Sequence, residues 1–143
     1  MKRITRFFVI ACCISTLCTS ALNAQKINLP PDSLQSLLCR KWEIAYSLMG
    51  NSRIDMPPGA PKMTFEFKKD RSFTMTTDNP SESTKGTWAY DPKKKLVQLQ
   101  INGRSNLTIV SIQPTQMSMV ADTKEATPDD PMTITIVYKI KGT

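Results

Sequence analysis

The chain has 143 residues, 40% of them hydrophobic and 22% charged, which suits one globular domain built on a single core. Its formal charge is +7 and it contains no histidine, so a Ser-His-Asp triad, a Cys-His pair and any histidine-ligated metal site are excluded. The expectation is a protein that binds rather than catalyses, with no cofactor.

Residues 1–24 read as a signal peptide. Lys2, Arg3 and Arg6 lead, Phe7 to Leu17 is mostly apolar, and Thr19 to Ala24 is small and polar. Cleavage is expected after Ala24, with Ala21 the second choice, and the mature protein is expected to be periplasmic or secreted. The apolar run is too short for a stable transmembrane helix, and no other segment of the sequence has the length and apolarity to span. Val9-Ile10-Ala11-Cys12 has the residue types that precede a lipidated bacterial cysteine. Only five apolar residues separate Arg6 from Cys12, however, which disfavours a lipid anchor. Loss of the leader removes three of the four cysteines, so Cys39 is left with no disulfide partner within the chain. It also leaves sixteen basic against twelve acidic residues, a balance of +4. That modest excess, on an exported chain with no basic recognition helix, argues against a nucleic-acid partner.

Residues 25–36 form an N-terminal segment with a short helix, ahead of a β-domain over residues 37–143. In the helix Asp32 is placed to cap the N-terminus while Gln35 reaches back, and Leu34, Leu37 and Leu38 make one apolar stripe that runs on towards the first strand. From Lys41 the chain alternates polar and apolar, which predicts a strand with Trp42, Ile44, Tyr46 and Leu48 on one buried face. Further strands are predicted at Lys62–Phe67, Ser72–Thr77, Lys85–Tyr90, Lys95–Ile101, Ser105–Ile112, Gln116–Ala121 and Met132–Ile140. Turn signals separate them at Lys69-Asp70, Asp91-Pro92, Asn102-Gly103 and Gln113-Pro114. The fold class is therefore all-β, an eight-stranded antiparallel up-and-down barrel with a short N-terminal helix.

Alternate connections of such a barrel share a rim. One rim receives Gly50–Pro61, Asp78–Thr84, Asn102-Gly103-Arg104 and Asp122–Pro131; the other receives only the short turns and the helix. The expectation is a cup with a sealed floor and an open, mildly acidic mouth. The sealed end collects Lys68, Lys69, Arg71, Lys93, Lys94 and Lys95, a basic surface with which a weak contact to anionic lipid is conceivable.

Leu38-Cys39-Arg40-Lys41-Trp42, Phe65-Glu66-Phe67-Lys68-Lys69-Asp70-Arg71-Ser72-Phe73 and Gly86-Thr87-Trp88-Ala89-Tyr90 resemble the lipocalin-like proteins exported by Gram-negative bacteria, over most of residues 37–141. Arg40 stands where lipocalins usually carry a glycine two residues before this tryptophan. The resemblance implies binding of a small apolar molecule inside the barrel. Read from the residues themselves, the lining and lid are expected at Tyr46, Ile54, Met56, Met63, Phe65, Met75, Trp88, Met117, Met119, Ile134 and Ile136. Methionines in that set would mould to a neutral apolar guest, and Pro57, Pro58 and Pro61 would stiffen Gly50–Pro61 as a partial lid. The alternative is a barrel filled by its own side chains, acting as a protein-interaction module through its loops. The acids fall in turns and on outward positions, and Asp122, Asp129 and Asp130 lack the ligand spacing of a calcium loop, so neither catalytic nor metal-ligating residues are expected.

Overall fold

A computed structural model describes residues 26–79, 81–121 and 133–142. The leader, the whole Asp122–Pro131 connection and Met132 lie outside the described residues. The chain runs α1 (Pro31–Leu38), β1 (Lys41–Met49), β2 (Ser52–Asp55), β3 (Thr64–Phe67), β4 (Ser72–Thr76), β5 (Ser83–Asp91), β6 (Leu96–Ile101), β7 (Arg104–Ile112), β8 (Gln116–Ala121) and β9 (Ile134–Ile140). Each strand from β3 to β9 pairs antiparallel with the next, and β1 closes the ring by pairing with both β9 and β3. The result is a closed eight-stranded antiparallel barrel with one short helix, compatible with a lipocalin-like fold.

Two features of β1 and its hairpin depart from the sequence expectation. The first is β2, a short strand inside the segment read as a lid. Gly50-Asn51 makes a two-residue reversal with Gly50 at φ 56°, as a turn with glycine at its first central position requires, and β2 folds back on β1 from Met49↔Ser52 to Tyr46↔Asp55. The second is a bulge in β1. Ile44 pairs with Tyr138, but Tyr46 pairs with Val137, so Ala45 is an extra residue in the ladder. The bulge reverses the phase of the strand. Trp42 and Ile44 point into the barrel, whereas Tyr46 and Leu48 lie on its outer face and Ser47 and Met49 on the inner one.

The floor is built as expected, though with different caps. Pro30 is the N-cap of α1, with no side-chain hydrogen bond, and Pro31 occupies the first turn, where its missing N–H costs nothing. Asp32 makes no cap, and Gln35 instead donates from Nε2 to the Lys69 carbonyl at 2.9 Å. Leu34 and Leu38 are buried against Trp42, Phe67, Phe73 and Trp88. Trp42 Nε1 donates to the Leu38 carbonyl at 3.1 Å, and Trp88 Nε1 donates to that of Lys68 at 3.1 Å. Arg40 spans the underside: Nη1 donates to the Pro114 carbonyl at 3.1 Å, and its guanidinium lies 6.0 Å from the Trp42 ring. Ahead of the helix, Ile27 is stitched to the β5–β6 turn through its N–H to Lys95 and its carbonyl to the Tyr90 hydroxyl, both 2.9 Å. The short turns thus close one end around α1, and the described longer connections leave from the other.

Candidate functional site

Above the floor the described side chains pack closely. Phe65 stacks with Phe67 at 5.9 Å and meets Phe73 at 5.8 Å, and Tyr138 stands edge-on to it at 5.4 Å. Leu99, Ile109, Met117 and Met119 fill the rest of this layer and are fully buried. An eight-stranded barrel is just wide enough for its own side chains, and here they occupy it.

Space begins at the mouth. A cavity of about 620 Å³ is lined by Met75 of β4, Ile101 of β6 and Leu107 of β7, with Asn102 and Arg104 at its lip. The three apolar residues are half-buried and pack on the core below. Between β4 and β6, strand β5 offers only Thr84, opposite Met75, and Gly86, opposite Phe73, so this wall is low. Asn102-Gly103, at φ 52° and 74°, makes the tight reversal that returns the chain as Arg104 directly opposite Ile101. Among the described residues no acid forms an ion pair with Arg104.

On the other side of the mouth the inner faces of β1, β2 and β9 present Met49 opposite Ile134, and Ile54 and Ile136 either side of Ser47. Met49, Ile54 and Ile134 are 45%, 45% and 53% exposed. Exposed apolar side chains gathered at one place mark an interaction site more often than scattered ones do.

The eleven residues expected to line the barrel therefore separate by height. Met75 lines the mouth cavity, while Met63, Ile136, Ile54 and Ile134 lie at the same end. Phe65, Met117 and Met119 are sealed in the packed layer. Trp88 is buried at the floor, where its outer edge borders a separate cleft beside Leu29 and Arg71. Tyr46 is outside the barrel because of the bulge, with the Arg53 guanidinium 3.9 Å above its ring. Met56 also leaves the mouth. With the Pro57–Lys62 segment it walls an outer cleft of about 530 Å³ against Glu43, Ala45 and Lys139, so this segment is not a lid. Ile101, Leu107 and Arg104 were absent from the expected site. The Asn-Gly reversal that places Arg104 beside Ile101 was the available signal.

Charge is arranged simply. Lys139 Nζ lies 3.3 Å from Glu43 on the outer wall, and Arg53 Nε lies 2.6 Å from Asp55 on β2. Burial raises the Cys39 thiol above its ordinary value, so at neutral pH it is a thiol and not a nucleophilic thiolate. Hydrogen bonds from Ser72 hold Asp70 below the ordinary carboxylate value, and N–H groups of Lys94 and Lys93 do the same for Asp91; both acids serve their turns at the closed end. Among the described residues no three carboxylates or thiols converge to hold a metal ion, and no helix is long and apolar enough to cross a membrane. Set against protein-family models, curated protein sequences and solved structures, the chain matches none of them.

Proposed function

We propose that the protein is an exported lipocalin-like binding protein that seats a small apolar molecule in the mouth of its barrel. The observation that carries this reading is the 620 Å³ cavity walled by Met75, Ile101 and Leu107. Its volume is that of a small-molecule site, and its lining combines apolar walls with a few polar groups at one edge. The guest sits high, because the Phe65–Tyr138 layer closes the interior below it. The apolar walls favour a neutral body, since burying a charge there without a partner would cost several kcal/mol. Asn102 and Arg104 would meet a hydrogen-bond acceptor at the outer end of the guest.

The test is fluorescence titration with N-phenyl-1-naphthylamine, a neutral apolar probe. Saturable binding is expected, weakened by Leu107→Asp and by Met75→Asp but not by Met56→Asp, whose side chain belongs to the outer cleft. Absence of saturable binding to the wild type would overturn the reading.

A second reading is a protein-interaction module, favoured by the filled interior together with the exposed Met49, Ile54 and Ile134 at the rim. It predicts that Ile134→Asp abolishes capture of a host protein while probe binding at Leu107 is unchanged.

A further inference from the structure

Among the described residues, strand β2 pairs only with β1 and leaves its other edge without a strand partner, and all four of its residues are exposed. In a two-residue hairpin the closing pair exchanges both of its hydrogen bonds, and the pattern alternates from there. Ser52 and Ile54 therefore turn their N–H and C=O groups towards β1, and Arg53 and Asp55 turn theirs to the free edge. Such an edge is a template for another strand.

The sequence of this edge is complementary to itself. Placed antiparallel to a second copy about a two-fold axis at Ile54, β2 sets Ile54 against Ile54, Arg53 against Asp55 of the second copy, and Asp55 against Arg53 of the second copy. The same register puts the outward N–H and C=O groups of Arg53 and Asp55 in the hydrogen-bonding positions, giving four backbone bonds across the axis. Side-chain positions agree. Arg53 and Asp55 already share the outer face, held there by their 2.6 Å ion pair and by the stacking of Arg53 on Tyr46. Ile54 is on the other face, 45% exposed, where it would gain an apolar partner.

We propose that the protein self-associates through β2, forming a two-fold dimer whose sheet runs continuously from one barrel to the other. Four residues a side make a contact well below the roughly 1,000 Å² of a stable interface, so the dimer is weak and concentration-dependent, with a dissociation constant between about ten micromolar and about one millimolar. The association does not depend on the mouth cavity or on its guest.

Sedimentation equilibrium of the purified protein tests it, with circular dichroism to show that each variant is folded. Arg53→Asp and Asp55→Arg should each weaken self-association by at least about ten-fold, because each places like charges opposite one another twice. An equimolar mixture of the two variants should regain association, since every cross-pair is then of opposite sign, and the doubly exchanged chain should dimerise with itself. A wild type monomeric at about one millimolar overturns the proposal. So does a dimer indifferent to both reversals, or a pair of reversals that the mixture does not rescue.

Discussion

Tyr138 meets Phe65 at right angles, ring centroids 5.4 Å apart and interplanar angle 88°, and this pair sets the depth of the mouth. Edge-to-face packing of this kind adds about 0.5–1.5 kcal/mol to the burial of the rings themselves. Phe65→Ala removes the centre of the cluster formed with Phe67, Phe73 and Tyr138. It should cost about 3–5 kcal/mol in urea unfolding. If the fold survives, the neutral probe should bind more tightly than to the wild type, because the mouth now opens downward. Unchanged or weaker probe affinity in a folded variant would show that the cavity above is independent of this layer.

The Tyr138 hydroxyl has a poor partner, the Met63 sulfur at 4.0 Å, and burial raises its ionisation well above the ordinary value of 10.0. The neutral form is the one the fold keeps. Its contribution is fully present below pH 10 and is lost as the pH rises above it, since the unfolded chain ionises first. Tyr138→Phe should change stability by less than about 1 kcal/mol at neutral pH. Melting temperatures between pH 9 and 11 should fall less steeply for the variant than for the wild type, and parallel slopes would contradict this account.

Gly86 is needed for closeness rather than for its backbone angles. A Cβ built on it would stand 2.5 Å from Phe73 Cζ and 2.6 Å from Phe73 Cε1, and closer still to the Gln100 carbonyl oxygen. The ring can shift but the β6 backbone cannot. Gly86→Ala should therefore destabilise by about 1–3 kcal/mol, the range for overpacking a filled interior. Chemical denaturation measures it, and a loss within error of zero would mean that β5 and β6 can separate locally.

Trp42 is fully buried at the floor and ties β1 to the end of α1 through the Leu38 carbonyl. Trp42→Ala should cost about 3–5 kcal/mol and loosen α1. Trp42→Phe keeps most of the volume and removes only this hydrogen bond, since the Leu38 carbonyl still accepts from the Arg40 N–H at 2.8 Å, and should cost about 0.5–1.5 kcal/mol. Urea melts rank the two, and equal losses would assign the whole effect to the hydrogen bond.

Much of the fold was legible because turns and alternation are local. Asn102-Gly103, the helix stripe of Leu34 and Leu38, and the strands Lys41–Met49 and Gln116–Ala121 all stand where the sequence places them. The bulge was hard to read, since Trp42, Ile44, Tyr46 and Leu48 keep period two, and only Ala45, apolar where the pattern calls for a polar residue, departs from it. Strand β2 was missed because Ser52-Arg53-Ile54-Asp55 carries one apolar residue and is followed by prolines, although Gly50-Asn51 was a usable hairpin signal. For the site, period two tells which face a residue occupies and says nothing of its height. Phe65, Met75 and Met119 share a face. Only three-dimensional packing separates the residues that plug the barrel from the one that borders its cavity.

The extra residue at Ala45 also bears on how the mouth of this barrel can change over generations. Deleting it would remove the bulge and leave the ladder as it is, with Tyr46 following Ile44 directly and still opposite Val137, so Tyr46 and Leu48 would stay outside and Ser47 and Met49 inside. One codon lost at this place therefore leaves the serine and the methionine at the opening. In this architecture, the bulge buffers the lining of the mouth against a change in the spacing of residues and leaves it open to change through their identity.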